Sequence, residues 1–277
     1  MTTATESIRQ PATRAPDRQQ NPLQASSCCS TFYEQDWVRN LAEDIFHPGG
    51  EDLTRRTIAA MDLPAHATVA DLGCGTGTTA LMLARDFELQ VTGVDLSVAN
   101  IERAIERSAT NSAAVRFIQA DAKKLPFEDN EFDGILAECS FSLFADQAAA
   151  LAEMKRVLKP GGSLAITDMA IGGPLPADIA EVISPWTCLV DAKDQQTYAQ
   201  GFAAAGYVIQ TIADESAGLT NLIQLLKRKL LLGAGGVLAG GAMPAFDLAS
   251  IKFWLDRFQA EVEKGTIRYL RFNLRSP

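Results

Sequence analysis

Histidine and positive charge are both scarce in this chain, and each shortage removes a class of function. The two histidines, His47 and His66, make no zinc-like set with the five cysteines at positions 28, 29, 74, 139 and 188. Nor do those cysteines form a Cys-x-x-Cys pair, so neither a metal site nor a disulfide framework is expected. Lys and Arg number 25 against 34 Asp and Glu, a net charge of −9. That balance argues against a nucleic-acid backbone as partner, because phosphate binding draws on clustered basic side chains. No apolar run reaches the ~20 residues of a spanning helix. The uncharged, largely apolar stretch 230–246 is interrupted by Gly233, Gly235, Gly236, Gly240, Gly241 and Pro244 and reads as a Gly-rich lid or connecting loop, not a membrane span. The first 24 residues are polar, carry Pro11, Pro16 and Pro22 and lack the apolar centre of a signal peptide. Residues 1–27 are therefore read as a disordered tail, and a cytoplasmic location is expected.

What the chain does contain is alternation. Apolar spacing predicts an N-terminal helix over 32–45, broken by His47-Pro48-Gly49-Gly50, and a second helix over 51–61. Strands are expected at 68–72, 90–94, 115–119, 132–137 and 163–168, with helices at 78–85, 98–108 and 147–158 between them. Pro160-Gly161-Gly162 reads as the turn into the fifth strand. Strands alternating with helices imply a largely parallel sheet covered on both faces. After Asp168 the pattern loosens into a helical insertion around 176–189, a helix at 195–205, a strand at 207–212, helices at 217–231 and 248–264, and a last strand at 267–274 whose hairpin closes one edge. The expected organisation is one α/β domain, 28–277, with an N-terminal helical cover and insertions after residue 168 and at 214–265.

Asp71-Leu72-Gly73-Cys74-Gly75-Thr76-Gly77 falls at the carboxyl end of the first strand, where open α/β sheets bind ligands. The Gly73, Gly75, Gly77 spacing differs from Gly-x-Gly-x-x-Gly, and no cradle for a pyrophosphate accompanies it. That points to a nucleoside without phosphates. Asp95, with Leu96 beside it, ends the second strand about 20 residues on, where a carboxylate can accept both hydroxyls of a ribose. Asp121 follows the third strand and can accept from an adenine amino group, while Ala122 offers a backbone N–H. Each acid has an ordinary alternative as a helix cap or turn residue.

This series, with the Leu158-Lys159-Pro160-Gly161-Gly162 turn, resembles the class I methyltransferases over about 100 residues. The resemblance implies a Rossmann-like, seven-stranded, mostly parallel sheet with an antiparallel last strand, S-adenosylmethionine as cofactor, and a small-molecule acceptor; it leaves the oligomeric state open. Asp71, Gly73, Cys74, Gly75, Gly77, Asp95, Leu96, Asp121 and Ala122 are the cofactor contacts it implies. Tyr33 and Glu138 join them, each with an alternative: Tyr33, like Trp37, either covers the donor with its aromatic face or packs in its helix, and Glu138 touches the cofactor, the acceptor or only its neighbours. Cys139 directly follows the fourth strand, and Cys188 lies in a Trp-containing segment of the insertion. Here the sequence resembles arsenite methyltransferases, in which such cysteines hold a soft metalloid. Their third cysteine, in the helix after the glycine loop, is replaced by Thr78-Thr79-Ala80, and Cys29 of the Cys28-Cys29 pair is the candidate substitute. Two alternatives stand beside that reading. Cys139 and Cys188 could be small packing residues, and the acceptor could be apolar, of the ubiquinone/menaquinone or sterol kind. A non-catalytic cofactor-binding protein is disfavoured by the intact acids and glycines.

Overall fold

The computed structural model describes residues 47–109, 115–184, 187–231 and 248–277. The expected tail, the 32–45 helix with Tyr33 and Trp37, the Cys28-Cys29 pair, Trp186 and most of the Gly-rich stretch lie outside the described residues.

Seven strands form one sheet: β1 (Thr68–Leu72), β2 (Gln90–Asp95), β3 (Val115–Gln119), β4 (Phe132–Glu138), β5 (Leu158–Ile171), β6 (Val208–Asp214) and β7 (Ile267–Arg275), in the order β3-β2-β1-β4-β5-β7-β6. The first five are mutually parallel, and β7 runs antiparallel to both β5 and β6. The helices are α1 (Gly50–Met61), α2 (Thr78–Phe87), α3 (Val98–Ala109), α4 (Gln147–Val157), α5 (Gln195–Ala204), α6 (Ser216–Leu231) and α7 (Leu248–Glu263). Among the described residues no helix is long and apolar enough to cross a membrane.

The central strands are buried on both faces, as a sheet flanked by helices requires. Val69, Ala70, Ile135, Leu136, Leu164 and Ile166 are all fully enclosed. Helix starts follow local chemistry. Asp146 accepts from Ala149 N at 3.0 Å to cap α4, and Asp194 accepts from Thr197 N at 2.9 Å to cap α5.

One feature differs from the sequence reading. Strand β5 starts at Leu158, five residues early, because Pro160-Gly161-Gly162 is a bulge inside the strand: Phe132 pairs with Leu158, and Gly134 next pairs with Ser163. The final strand pairs antiparallel with β6, and the two close one edge of the sheet as expected. It inserts between β5 and β6, so β6 carries the edge and the β6–β7 connection runs through α6 and α7. That connection is held down by charge. Arg56 on α1 and Arg271 on β7 both reach Glu215 (2.9 and 3.0 Å), and Arg257 on α7 meets Asp178 of the insertion at 2.8 Å.

Candidate active site

The glycine loop turns on itself against β2: Gly73 N and Cys74 N both donate to Val94 O, at 2.7 and 3.0 Å. Gly73 has φ +75°, and a Cβ there would lie 2.5 Å from the Ser140 Cβ. Gly75 (φ +55°) is different, since a Cβ there meets nothing within 4 Å and would project into open space. Gly77 begins α2 where a side chain would overlap Phe117. Asp95 pins this loop. One carboxylate oxygen accepts from Gly75 N at 2.9 Å and the other from Ser97 N at 2.8 Å, so the acid ties the glycine turn to the start of α3. Leu96 beside it is 61% exposed, an uncovered apolar face at the same sheet end. Asp121 is less enclosed and accepts from Lys123 N at 3.1 Å, with Lys123 Nζ 3.3 Å away, while Ala122 packs half-buried against the main core.

Beneath the loop sit two enclosed carboxylates. Asp71, 2% exposed, has one oxygen, Oδ2, with no hydrogen-bond donor. Burial, then the charges of Glu138 and Asp95, push its carboxyl well above the ordinary range. Glu138, with a side chain 4% exposed, accepts from Thr54 Oγ1 at 2.9 and 3.1 Å and from Thr79 Oγ1 at 3.3 Å, and His47 Nε2 lies 3.4 Å from it. Sequence reasoning missed His47, Thr54 and Thr79 here. Their only local signal is that Thr79 follows the glycine loop; His47 and Thr54 come from α1 and its entry, distant in sequence. His66, by contrast, is exposed in a turn.

Cys139 and Cys188 are brought together, with sulfur atoms 3.3 Å apart, and Cys188 Sγ also donates to Cys139 O at 3.3 Å. Cys139 occupies the left-handed region (φ +51°), a strained conformation for a side chain, and its N–H donates to Thr167 O at 2.7 Å. The contact with Cys188, burial and the neighbouring charge of Asp168 push its thiol well above the usual range. Around the pair lies an apolar cluster that includes Leu53, Met169, Ile179, Trp254, Phe258 and Tyr269. Below it Asp168, fully enclosed, accepts from Ser142 N, Ser142 Oγ and Met169 N at 2.6–2.8 Å, and burial raises its carboxyl to about 6. Cys74 is buried against Gly93, and burial first, then the charges of Asp71 and Asp95, raise its thiol.

Two enclosed polar atoms, Asp71 Oδ2 and Thr76 Oγ1, have no hydrogen-bond partner among the described residues, and Thr76 directly follows Gly75, where a side chain would meet nothing within 4 Å. The loop thus has unused hydrogen-bonding capacity and room, which suits a nucleoside-bearing amino-acid ligand better than an empty turn. Fold and site together define a Rossmann-like cofactor-binding domain. Residues 63–206, just over half of the chain, match the family described as a methyltransferase domain, and the chain belongs to that family. It carries an S-adenosylmethionine-dependent methyltransferase domain.

Among its relatives, phosphoethanolamine N-methyltransferase 3 of Arabidopsis thaliana is 32% identical over 195 residues, covering 70% of this chain and 39% of the plant protein. The O-methyltransferase cnsE of Penicillium expansum is 33% identical over 187 residues, covering 65% of this chain and 66% of that one. The chain therefore spans about two fifths of the plant relative's length. In structure it is similar to phosphoethanolamine N-methyltransferase 2 of Haemonchus contortus, solved with phosphomonomethylethanolamine and S-adenosylhomocysteine. That likeness has a TM-score of 0.80 at 21% identity, over 93% of this chain and 61% of the other, and is one of fold. These relatives carry the methyltransferase assignment without the narrower likeness to arsenite or ubiquinone/menaquinone enzymes.

Proposed function

We propose that this chain transfers a methyl group from S-adenosylmethionine to a small organic acceptor held over the carboxyl ends of β4 and β5, methylating it on oxygen, nitrogen or carbon. The observation that carries this reading is juxtaposition: β4 ends in Glu138, which accepts from Thr79 at the start of α2, two residues past the glycine turn, and the next residue, Cys139, packs against the apolar cluster. On this reading the donor side and the acceptor side adjoin at the end of β4. The donor would supply an electrophilic methyl on a sulfonium: its carbon–sulfur bond breaks with the electron pair going to sulfur, an electron pair of the acceptor (a lone pair on oxygen or nitrogen, a π pair on carbon) forms the new bond, and the proton the acceptor sheds leaves with the product's release to bulk solvent. The protein's part is orientation and exclusion of water. Asp95 and the Gly73 to Gly77 turn hold the donor's nucleoside, and Asp121 with Ala122 serves its base. The side chains of Leu53, Met169, Trp254 and Phe258 keep the acceptor side dry. Residues 28–277 act as one unit, with the insertion after Asp168 and the 214–265 segment covering the acceptor. The net charge of −9 fits a small molecule rather than nucleic acid.

A second reading rests on the 3.3 Å contact between Cys139 and Cys188, which suits a thiol-bound trivalent arsenic or another soft acceptor, with Cys29 as a third ligand. It ranks second because the contact with Cys188, and then burial, raise the Cys139 thiol, which disfavours the thiolate a metalloid needs. Labelled methyl transfer from S-adenosylmethionine to phenol, quinol, amine and phosphobase acceptors, run beside arsenite with thiol, separates the two. Turnover of an organic acceptor that survives Cys139→Ser and Cys188→Ser supports the first reading. Arsenite turnover abolished by both substitutions replaces it with the second, and no transfer to any acceptor refutes both.

A further inference from the structure

Cys139 and Cys188 stand 49 residues apart in sequence, one just past the end of β4 and the other in the insertion between β5 and α5, yet their sulfur atoms meet at 3.3 Å. The two thiols differ in access. Cys188 is 2% exposed inside an apolar cluster with Ile179, Leu189 and Trp254, whereas Cys139 packs against that cluster and is only partly enclosed. The other described cysteine, Cys74, belongs to the glycine loop and is buried against Gly93. The insertion that carries Cys188 has its two ends tied together, Ile171 N donating to Lys193 O at 3.0 Å, so the stretch between them can shift without unravelling β5 or α5. Its anchors to the rest of the fold include the Arg257–Asp178 ion pair at 2.8 Å, the packing of Ile179 and Leu189, and the contact between the two thiols.

We propose that Cys139 and Cys188 are a reversible redox pair whose disulfide clamps the insertion to the end of β4. The co-reactant is a peroxide, small enough to reach a partly enclosed thiol. Cys139, as thiolate, attacks one peroxide oxygen; the O–O bond breaks, a sulfenic acid forms, and the departing hydroxide takes the thiol's proton as water. The Cys188 sulfur then attacks the Cys139 sulfur, the S–O bond breaks, and hydroxide leaves with the Cys188 proton as a second water. Two thiols are oxidised and one peroxide is reduced to two waters, and a dithiol reductant reverses the change. Proximity favours the second step, because the resolving thiol is already in contact and needs no encounter from solution. The Cys188 contact, burial and the charge of Asp168 raise the Cys139 thiol, so its thiolate is scarce and oxidation is slow, a response to sustained peroxide rather than a rapid sensor. In the oxidised state neither sulfur is free to ligate a soft metalloid, and the covalent tie restricts the insertion that borders the apolar cluster.

The test uses the full chain, reduced, freed of reductant and incubated with equimolar hydrogen peroxide, after which remaining thiols are alkylated and the peptides mapped by mass spectrometry. The expected product is a Cys139–Cys188 linked peptide, about 2 Da lighter than the two thiol peptides together, that dithiothreitol removes. Hydrogen exchange in peptides spanning 187–194 should slow by about tenfold or more in the linked protein. In Cys188→Ala the resolving thiol is gone, and dimedone should trap a sulfenic acid on Cys139. Recovery of both cysteines alkylated in wild type, or linkage of either one to Cys28, Cys29 or Cys74 instead, overturns the proposal. A linked pair with unchanged exchange overturns the clamp, and a folded Cys188→Ala chain that yields no trapped sulfenic acid overturns Cys139 as the attacking thiol. Should Cys188→Ala not fold, the wild-type map and its exchange decide the matter alone. None of these readouts depends on methyl transfer, so their failure is distinct from failure of the functional reading above.

Discussion

Gly73 and Gly75 stand two residues apart in one motif, yet the structure gives them separate reasons for being glycine, and alanine substitution separates those reasons. At Gly73 an added Cβ lies 2.5 Å from Ser140 Cβ and 2.7 Å from Ser140 Oγ. That hydroxyl is occupied, donating to Leu72 O at 2.9 Å inside the protein. Gly73→Ala therefore combines a left-handed backbone penalty of ~1–2 kcal/mol with an overpacking cost of ~1–3 kcal/mol, a total of roughly 2–5 kcal/mol. At Gly75 the backbone penalty is the same, but the Cβ meets no protein atom within 4 Å, so the stability cost stays near 1–2 kcal/mol. What Gly75→Ala loses is ligand, because the methyl group occupies the space the cofactor needs. Urea unfolding measures the first effect and calorimetric titration with S-adenosylmethionine the second. The expected pattern is a large stability loss for Gly73→Ala, and for Gly75→Ala a small one with a fall in affinity of tenfold or more (about 1.4 kcal/mol). Gly75→Ala binding the cofactor as wild type does, or unfolding as readily as Gly73→Ala, would refute this account of the loop.

Asp95→Ala removes a carboxylate that accepts from both Gly75 N and Ser97 N, and is expected to weaken S-adenosylmethionine binding by about 1–3 kcal/mol; unchanged affinity by calorimetry would contradict its ribose role. Asp168 gives a pH signature. Its carboxyl is raised to about 6 in the fold, so its favourable contribution is fully present below the ordinary aspartate value of about 3.9 and is lost as pH rises through about 6. The stability of wild type relative to Asp168→Asn should accordingly fall by up to about 3 kcal/mol between those limits. Denaturant unfolding of both proteins across pH 4–7.5 (about the window set by those values) measures it, and a difference that grows with pH would be the wrong sign.

The parallel half of the fold was legible because each strand there is a short apolar run closed by a glycine or an acid, and such punctuation is a local property of the chain. Strands β1 and β3 fall on the expected residues, 68–72 and 115–119. Local reading failed where a local signal had two meanings. Pro160-Gly161-Gly162 has the composition of a turn, and only pairing with β4 makes it a bulge within β5. The closing antiparallel pair was legible, and which of its members lies outermost was left open by the sequence; pairing places β7 between β5 and β6.

The site divides along the same line. The glycine spacing and the acids at successive strand ends follow from backbone geometry written into consecutive residues, which is why the nucleoside half of the site could be read from the chain. The link between His47, Thr54, Thr79 and Glu138, and the 3.3 Å approach of Cys139 to Cys188, join segments far apart in sequence. Their side chains meet because α1 docks beneath the end of β4 and the insertion after Asp168 folds back over β5. Such contacts depend on how whole elements pack, and no window of neighbouring residues encodes them.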